Sequence, residues 1–244
     1  MFIQPHIKLE KVDKVCLVSG NPDRVPIIAR HLINTQEVAN HRGLLAYKGL
    51  TPTKHVPVTI LTTGMGAASN AIIMEEAYKA GGRIFIRIGS CGSLQANYPL
   101  GTIFIPHGAI RDEQTSRQLI PLEYPAIADP DLYQLLRKSA KELHEATPHG
   151  LVWTTDIYYS NDESKTKVWQ KFGALCVEME SGFLFSLHGL KPGIRIASIL
   201  TADGNLYDHQ SIYNGNISER LSLFEEKVRK SIEITFQAIE NIDF

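Results

Sequence analysis

Near-continuous apolar segments rich in β-branched residues recur along the chain, and most lead into a segment of helical periodicity. KVCLVSG (14–20) is one, and a helix follows it with Pro22 near its first turn and PIIARHL behind. VPVTILTTG (56–64) precedes AASNAIIMEEAYKAGG (67–82), an amphipathic helix with a glycine stop. RIFIRIGS (83–90), GTIFIPHGAI (101–110), LVWTTDIYY (151–159), ALCVEME (174–180) and IRIASILTAD (194–203) read as further strands. Helices are predicted over 129–145, opened by Asp129 and Pro130, and over 218–242, with Ser218 as the cap. Strands that are apolar on consecutive residues must be covered on both faces. The alternation therefore predicts an α/β fold: one central mixed, mostly parallel twisted sheet flanked by helices on both faces. No linker, repeat or low-complexity stretch interrupts it, so residues 1–244 read as one domain. In such sheets ligands bind beyond the carboxyl ends of the strands, and those are the residues to inspect.

Composition removes several function classes. With 25 basic and 26 acidic side chains the net charge is −1, which offers no basic face to nucleic acid or to a membrane surface. Any phosphate must be held by a few placed arginines. Cys16, Cys91 and Cys176 are odd in number and widely spaced, which fits neither a disulfide framework nor a zinc site and points to a reducing cytoplasm. The nine histidines show no metal-ligand spacing. MFIQPHIKLEK lacks the basic and apolar regions of a secretory signal, and no apolar run reaches the length of a membrane span.

The first strand ends in GNPDRV, where Gly20 permits close backbone approach and Arg24 sits at a helix start that already favours an anion. On its own this reads first as a turn with an exposed arginine. The second ends in TTGMGAAS (62–69), half of a dinucleotide-binding glycine motif and equally a tight strand-to-helix turn. Arg87 lies inside an apolar strand, where a buried guanidinium needs a partner, and phosphate is a good bidentate one. Cys91 beside it has no activating histidine and reads as a small pocket-lining residue. Glu178 and Glu180 are two apart, so in a strand they share one face. Such a pair can be an acid and a base on a sugar, acceptors for vicinal hydroxyls, or a structural pair at a helix N-terminus. The last strand ends in TADGN, where Asp203 is either a turn residue or a general acid.

These pieces together resemble the nucleoside phosphorylases of the hexameric type, the group that holds purine nucleoside and uridine phosphorylases. The motifs are PHI (5–7), GNPDRV (20–25), HRG (41–43), TTGMG (62–66), RIGSCGS (87–93), PLEYPAIAD (121–129), TDIYYSND (155–162), VEMES (177–181) and TADG (201–204), in that order along almost the whole chain. The resemblance implies a phosphate site of Gly20, Arg24, Arg87 and Ser90, completed by Arg42 from a neighbouring subunit. It implies ribose contacts from Met179 and Glu180, with Glu178 beside them, and from His6, also lent across the dimer interface. Cys91, Gly92 and Val177 match the wall of the base pocket, and Tyr158 the aromatic that packs on the nucleoside. Asp203 matches the acid that protonates a purine at N7, and Arg220 the arginine that assists it. The expected assembly is a homohexamer built as a trimer of dimers. Inorganic phosphate is a co-substrate, and no metal or organic cofactor is expected.

In this family uridine is read by a Q-x-R pair after the T-D-x-Y-Y region, and the corresponding SNDESKTKVWQ has none. Uridine enzymes also lack the aspartate of TADG. Both departures point to purine nucleosides, inosine and guanosine foremost, whereas PLEYPAIAD is as similar to the uridine enzymes. A 5′-methylthio nucleoside and a non-catalytic nucleoside-binding module are the further alternatives. The three arginines together favour phosphate over water as nucleophile. NLYDHQSIYNGN (205–216) is expected to be a mobile loop that closes over the base.

Overall fold

The computed structural model describes residues 3–159 and 163–243; Ser160, Asn161 and Asp162, the end of the TDIYYSND motif, lie outside these. In chain order the elements are β1 (Val15–Ser19), α1 (Arg24–Ala29), β2 (Ile33–His41), β3 (Leu44–Leu50), β4 (Pro57–Thr62), α2 (Gly66–Lys79), β5 (Ile84–Ser93), β6 (Ile103–Phe104), β7 (Gly108–Asp112) and α3 (Gln114–Leu119). They continue with β8 (Ala126–Ile127), α4 (Pro130–Glu142), β9 (Leu151–Thr155), α5 (Ser164–Lys171), β10 (Cys176–Glu178), α6 (Ser181–Ser186), β11 (Arg195–Asn205), β12 (Gln210–Ser211) and α7 (Ile217–Ile239). The described strands form one mixed sheet of twelve, ordered β2-β3-β4-β1-β5-β10-β9-β7-β8, with β11 on the second edge of β5 and carrying β6 and β12. β4, β1, β5 and β11 run parallel, as do β10, β9 and β7.

The apolar strands divide their side chains between two cores. Val15, Leu17, Ile84, Ile86 and Ile88 face α1, α4 and α7, together with Val25, Leu136 and Ile232. Cys16, Val18 and Phe85 face α2 and α6, together with Met74, Phe183 and Phe185. Each fully buried side chain of this size contributes on the order of 1.5–3 kcal/mol. Two-sided coverage is why these strands carry no polar alternation.

Several predicted boundaries shift, each for a local reason. The strand expected over 101–110 is two, β6 on β11 and β7 on β9, because Pro106 lacks the N–H needed to continue a ladder. β9 stops at Thr155, and Ile157, Tyr158 and Tyr159 continue as exposed chain. β10 stops at Glu178, so Glu180 lies outside the strand as the residue that opens α6. The terminal helix is capped by Asn216, whose side chain accepts from Glu219 N at 3.4 Å, and not by Ser218. The β2–β3 hairpin, whose first strand is mostly exposed, was not legible as strands. It closes through Arg42 and Gly43, with φ of 57° and 77°, the left-handed pair a two-residue turn of this hand demands.

Candidate active site

β5 changes neighbours halfway along one edge. Val15 to Val18 of β1 pair with Ile84 to Arg87, whereas Gly92 and Ser93 pair with Val177 and Cys176 of β10. β11 follows the other edge throughout. Strands that splay at a change of order leave a crevice at their carboxyl ends. Arg87 stands at its foot.

Four charged side chains are almost fully buried there: Arg24 at 7%, Arg87 at 4%, Glu178 at 5% and Glu180 at 4% exposure. Charges so placed require partners. Arg87 donates from Nη2 to Glu180 Oε2 at 2.5 Å and from Nε to Glu178 Oε2 at 3.3 Å. Burial alone would lower its pKa, but the carboxylates of Glu180 and Glu178 outweigh burial and raise it. Glu178 also accepts from Thr154 Oγ1 at 2.6 Å, from Glu180 N at 3.0 Å and from Ser181 N at 2.9 Å. It caps the first turn of α6, which is why β10 ends where it does. The two glutamates therefore share a face because both grip Arg87 across the start of a helix, and strand alternation is not the cause.

Glu180 accepts a second bond from Gly66 N at 2.6 Å, the first residue of α2. Burial raises its pKa; Arg87 opposes that rise and Glu178 adds to it. TTGMGAAS thereby acquires a role. Gly64 and Gly66 take φ of 72° and 81°, Ser69 Oγ donates to Thr63 O at 2.5 Å, and the free N–H of the helix start meets a carboxylate of the chain itself. A dinucleotide pyrophosphate would have to displace Glu180 from that position.

On the opposite side of the crevice Arg24 donates from Nη1 to Ile88 O at 3.2 Å, and the guanidinium makes no other hydrogen bond among the described residues. Burial, then the like charge of Arg87, lowers its pKa to about 10. Gly20 adjoins both walls: a Cβ there would lie 3.0 Å from Gly64 O and 3.9 Å from Arg87 Nη1. Asp203 is the extra residue of a β-bulge, since Ala202 pairs with Cys91 and Gly204 with Gly92. A bulge re-aims the inserted side chain, here toward Arg24 and Ser90. Burial pushes the Asp203 carboxyl up to about 6, against the pull of Arg24 and the Ser90 hydroxyl.

The expected base wall is contiguous. Cys91, Gly92 and Val177 meet where β5, β10 and β11 join, and Leu206 packs over the bare Cα of Gly92. Burial and the neighbouring Cys176 raise the Cys91 thiol well above its usual range, which disfavours the thiolate. Met179 is half-buried between the two glutamates. Tyr158, 66% exposed, stands near enough to Asp203 for that charge to help raise its pKa, after burial, and contacts Tyr159 edge to face at 4.8 Å.

Three expected residues are not brought to this cluster within one chain. Arg42 is exposed on the hairpin turn, and its side chain makes no hydrogen bond or ion pair among the described residues. His6 is held by Glu76 of α2, with Nδ1 2.5 Å from Oε1 and the backbone N–H groups of His6 and Ile7 on the same carboxylate. Arg220 donates to Ser211 O at 3.1 Å and Asn214 O at 2.9 Å, so it braces the 211–215 turn and does not reach Asp203. Sequence reading also missed Thr154, Ser181 and Gly66 N. Thr154 sits at a strand end beside the expected site, the one signal that singles it out.

Residues 14–240 match the family described as the Phosphorylase superfamily. The chain is 31% identical to a guanosine phosphorylase of Halorubrum lacusprofundi, over 98% of this chain and 99% of that one. A uridine phosphorylase from Vibrio fischeri superposes with a TM-score of 0.90 at 29% identity, covering 98% of both chains. A purine nucleoside phosphorylase from Toxoplasma gondii, solved with immucillin-H, superposes with a TM-score of 0.87 at 26% identity, covering 99% and 96%. The family match over residues 14–240, with 31% identity to a relative over nearly the whole of both chains, places the protein in the Phosphorylase superfamily as a nucleoside phosphorylase.

Proposed function

We propose that the protein cleaves purine nucleosides, inosine and guanosine foremost, with inorganic phosphate as nucleophile, to give the free base and ribose 1-phosphate. The relatives are named for guanosine, purine nucleosides and uridine at similar identity, so the choice rests on the site. The observation that carries it is Asp203, a carboxyl on a bulge whose pKa of about 6 lies close to neutrality. A pyrimidine leaving group offers no N7 to protonate.

Cleavage of the glycosidic bond builds positive charge on the ribose. A phosphate dianion on Gly20, Arg24, Arg87 and Ser90 serves as nucleophile and counter-charge. Glu180, with Met179, takes the ribose hydroxyls, while Glu178, bonded to Arg87, Thr154 and the backbone of Glu180 and Ser181, fixes Arg87 and Glu180 beside them. Cys91, Gly92, Val177 and Tyr158 enclose the base, and Asp203 protonates it as it leaves. Arg220 assists once the 211–215 turn releases it. His6 and Arg42 serve the site of a neighbouring copy, for which their positions away from their own cluster are the support. The assembly is a hexamer of three such dimers acting in the cytoplasm; among the described residues no helix is long and apolar enough to cross a membrane.

Inosine and uridine, each with and without phosphate, test the reading by quantifying free base and ribose 1-phosphate. Phosphate-dependent hypoxanthine with little uracil is the expected result. Uracil release would transfer the reading to uridine, and phosphate-independent release would make the protein a nucleosidase. No release from either would shift the reading to a 5′-methylthio nucleoside or a non-catalytic module.

A further inference from the structure

We propose that Thr154 is a positioning residue for phosphorolysis, whose hydroxyl fixes Glu178 and, through it, the register of Arg87 and Glu180. This rests on the reading above for what Arg87 binds. Thr154 is completely buried at the end of β9. Its Oγ1 donates to Glu178 Oε1 at 2.6 Å and accepts from Gly182 N of α6 at 2.8 Å. The donors on Oε2 are Arg87 Nε, Glu180 N, Ser181 N and Ser181 Oγ; Oε1 receives only Thr154 and a longer share of Ser181 N at 3.0 Å. Thr154 is therefore the one side chain among the described residues that pins Oε1.

The last torsion of a glutamate is soft, so losing the one side-chain donor on Oε1 lets the carboxylate pivot about its Oε2 bonds. The bond with least to spare is Arg87 Nε to Oε2, already 3.3 Å long. Its loss leaves Arg87 held by Glu180 alone, and the guanidinium and the carboxylate it carries lose their fixed orientation together. The close approach of α6 to Thr154 has its own requirement: a Cβ on Gly182 would lie 3.0 Å from Thr154 Cβ. Glycine at 182 and a hydroxyl at 154 thus form one joint between β9 and the helix that starts at the site.

The test compares the full-length parent with Thr154→Val and Thr154→Ser. Valine keeps the shape and removes both bonds; serine keeps the hydroxyl. Steady-state kinetics with inosine at varied phosphate are run well below each variant's melting temperature. Thr154→Val is expected to raise KM for phosphate about tenfold or more, with KM for inosine changing less, as displacement of a positioned group does. Thr154→Ser is expected to stay within about twofold of the parent, since it retains the hydrogen bonds. An unchanged KM for phosphate in Thr154→Val, or equal impairment of both variants, would overturn the proposal. Calorimetric binding of phosphate alone separates the two readings. A parent that binds phosphate without releasing base refutes the function proposed above, and weaker binding by Thr154→Val alone then still supports the positioning role. A parent that does neither overturns both.

Discussion

Replacing Asp203 with asparagine changes one acid to an amide of the same shape, on a bulge whose backbone bond from Ile212 N to Asp203 O, 3.0 Å, is untouched. If Asp203 protonates the leaving purine, kcat/KM for inosine falls by about 10²–10⁴-fold. A substrate that needs no proton separates this role from mere contact. In 7-methylinosine the base is already cationic and N7 is blocked, so Asp203→Asn should cleave it at close to the parent rate. The parent's kcat/KM for inosine, referred to dianionic phosphate, should fall about tenfold per pH unit above about 6, where free Asp203 loses its proton. 7-Methylinosine should show only the limb set by its own acidic N1–H, the same in the parent and in Asp203→Asn. Stability moves the opposite way. The carboxyl's pKa rises from 3.8 in the unfolded chain to about 6 in the fold, so its ionised form is disfavoured by at most about 3 kcal/mol at neutral pH. That penalty is present above pH 6, fades as pH falls toward 3.8, and is absent below. Asp203→Asn should therefore melt higher than the parent at pH 7, and the two should converge near pH 4. Equal losses on inosine and 7-methylinosine would refute proton donation, and an unchanged melting temperature at pH 7 would refute the desolvated carboxyl.

Arg42→Ala removes an exposed side chain with no partner among the described residues of its own chain, so the melting temperature should stay put while KM for phosphate rises; a stable variant with the parent's KM would remove Arg42 from the site. Glu178→Ala breaks a buried ion pair and uncaps α6 together, and urea unfolding should register a loss of about 3–5 kcal/mol. Arg220→Gln removes the brace on Ser211 O and Asn214 O, and amide exchange across 205–216 should quicken in the ligand-free protein. In the parent, inosine with phosphate should slow exchange in the same segment, and equal rates with and without them would argue against closure over the base.

What was legible in the sequence followed from burial. The inner strands and α2, α4 and α7 each press an apolar face on a core, and periodicity reports that directly. β2 presents mostly exposed residues, so nothing in its pattern marks a strand; register comes from the hairpin turn and from β3. The charged residues were legible for a related reason, since Arg87 and the two glutamates are conspicuous in apolar stretches of sequence. Their division of labour was not. Glu178 and Glu180 are equivalent on paper, and only the start of α6 makes one a cap and leaves the other on a foreign helix terminus. Asp203 was found as a strand-end acid, but the bulge that turns it toward Ser90 is a register shift between two strands, which local sequence does not encode.

The charge balance of the crevice bears on how many copies a working site needs. Arg24 and Arg87 are set against Glu178 and Glu180, so these four buried groups sum to zero with both carboxylates ionised, and an ionised Asp203 makes the sum negative. A dianion entering such a site meets one guanidinium, Arg87, already committed to carboxylates, and a second, Arg24, that stays charged at neutral pH and is bonded among the described residues only to Ile88 O. Binding a phosphate dianion there calls for a further positive charge, and Arg42 on its exposed turn, without a partner among the described residues of its own chain, is placed to supply it to another. Phosphate affinity should then be linked to association. By mass action the anion should tighten the assembly by the same factor that the assembly tightens the anion. Sedimentation across a dilution series with and without phosphate measures this, and Arg42→Ala should abolish the dependence on phosphate while leaving the protein folded.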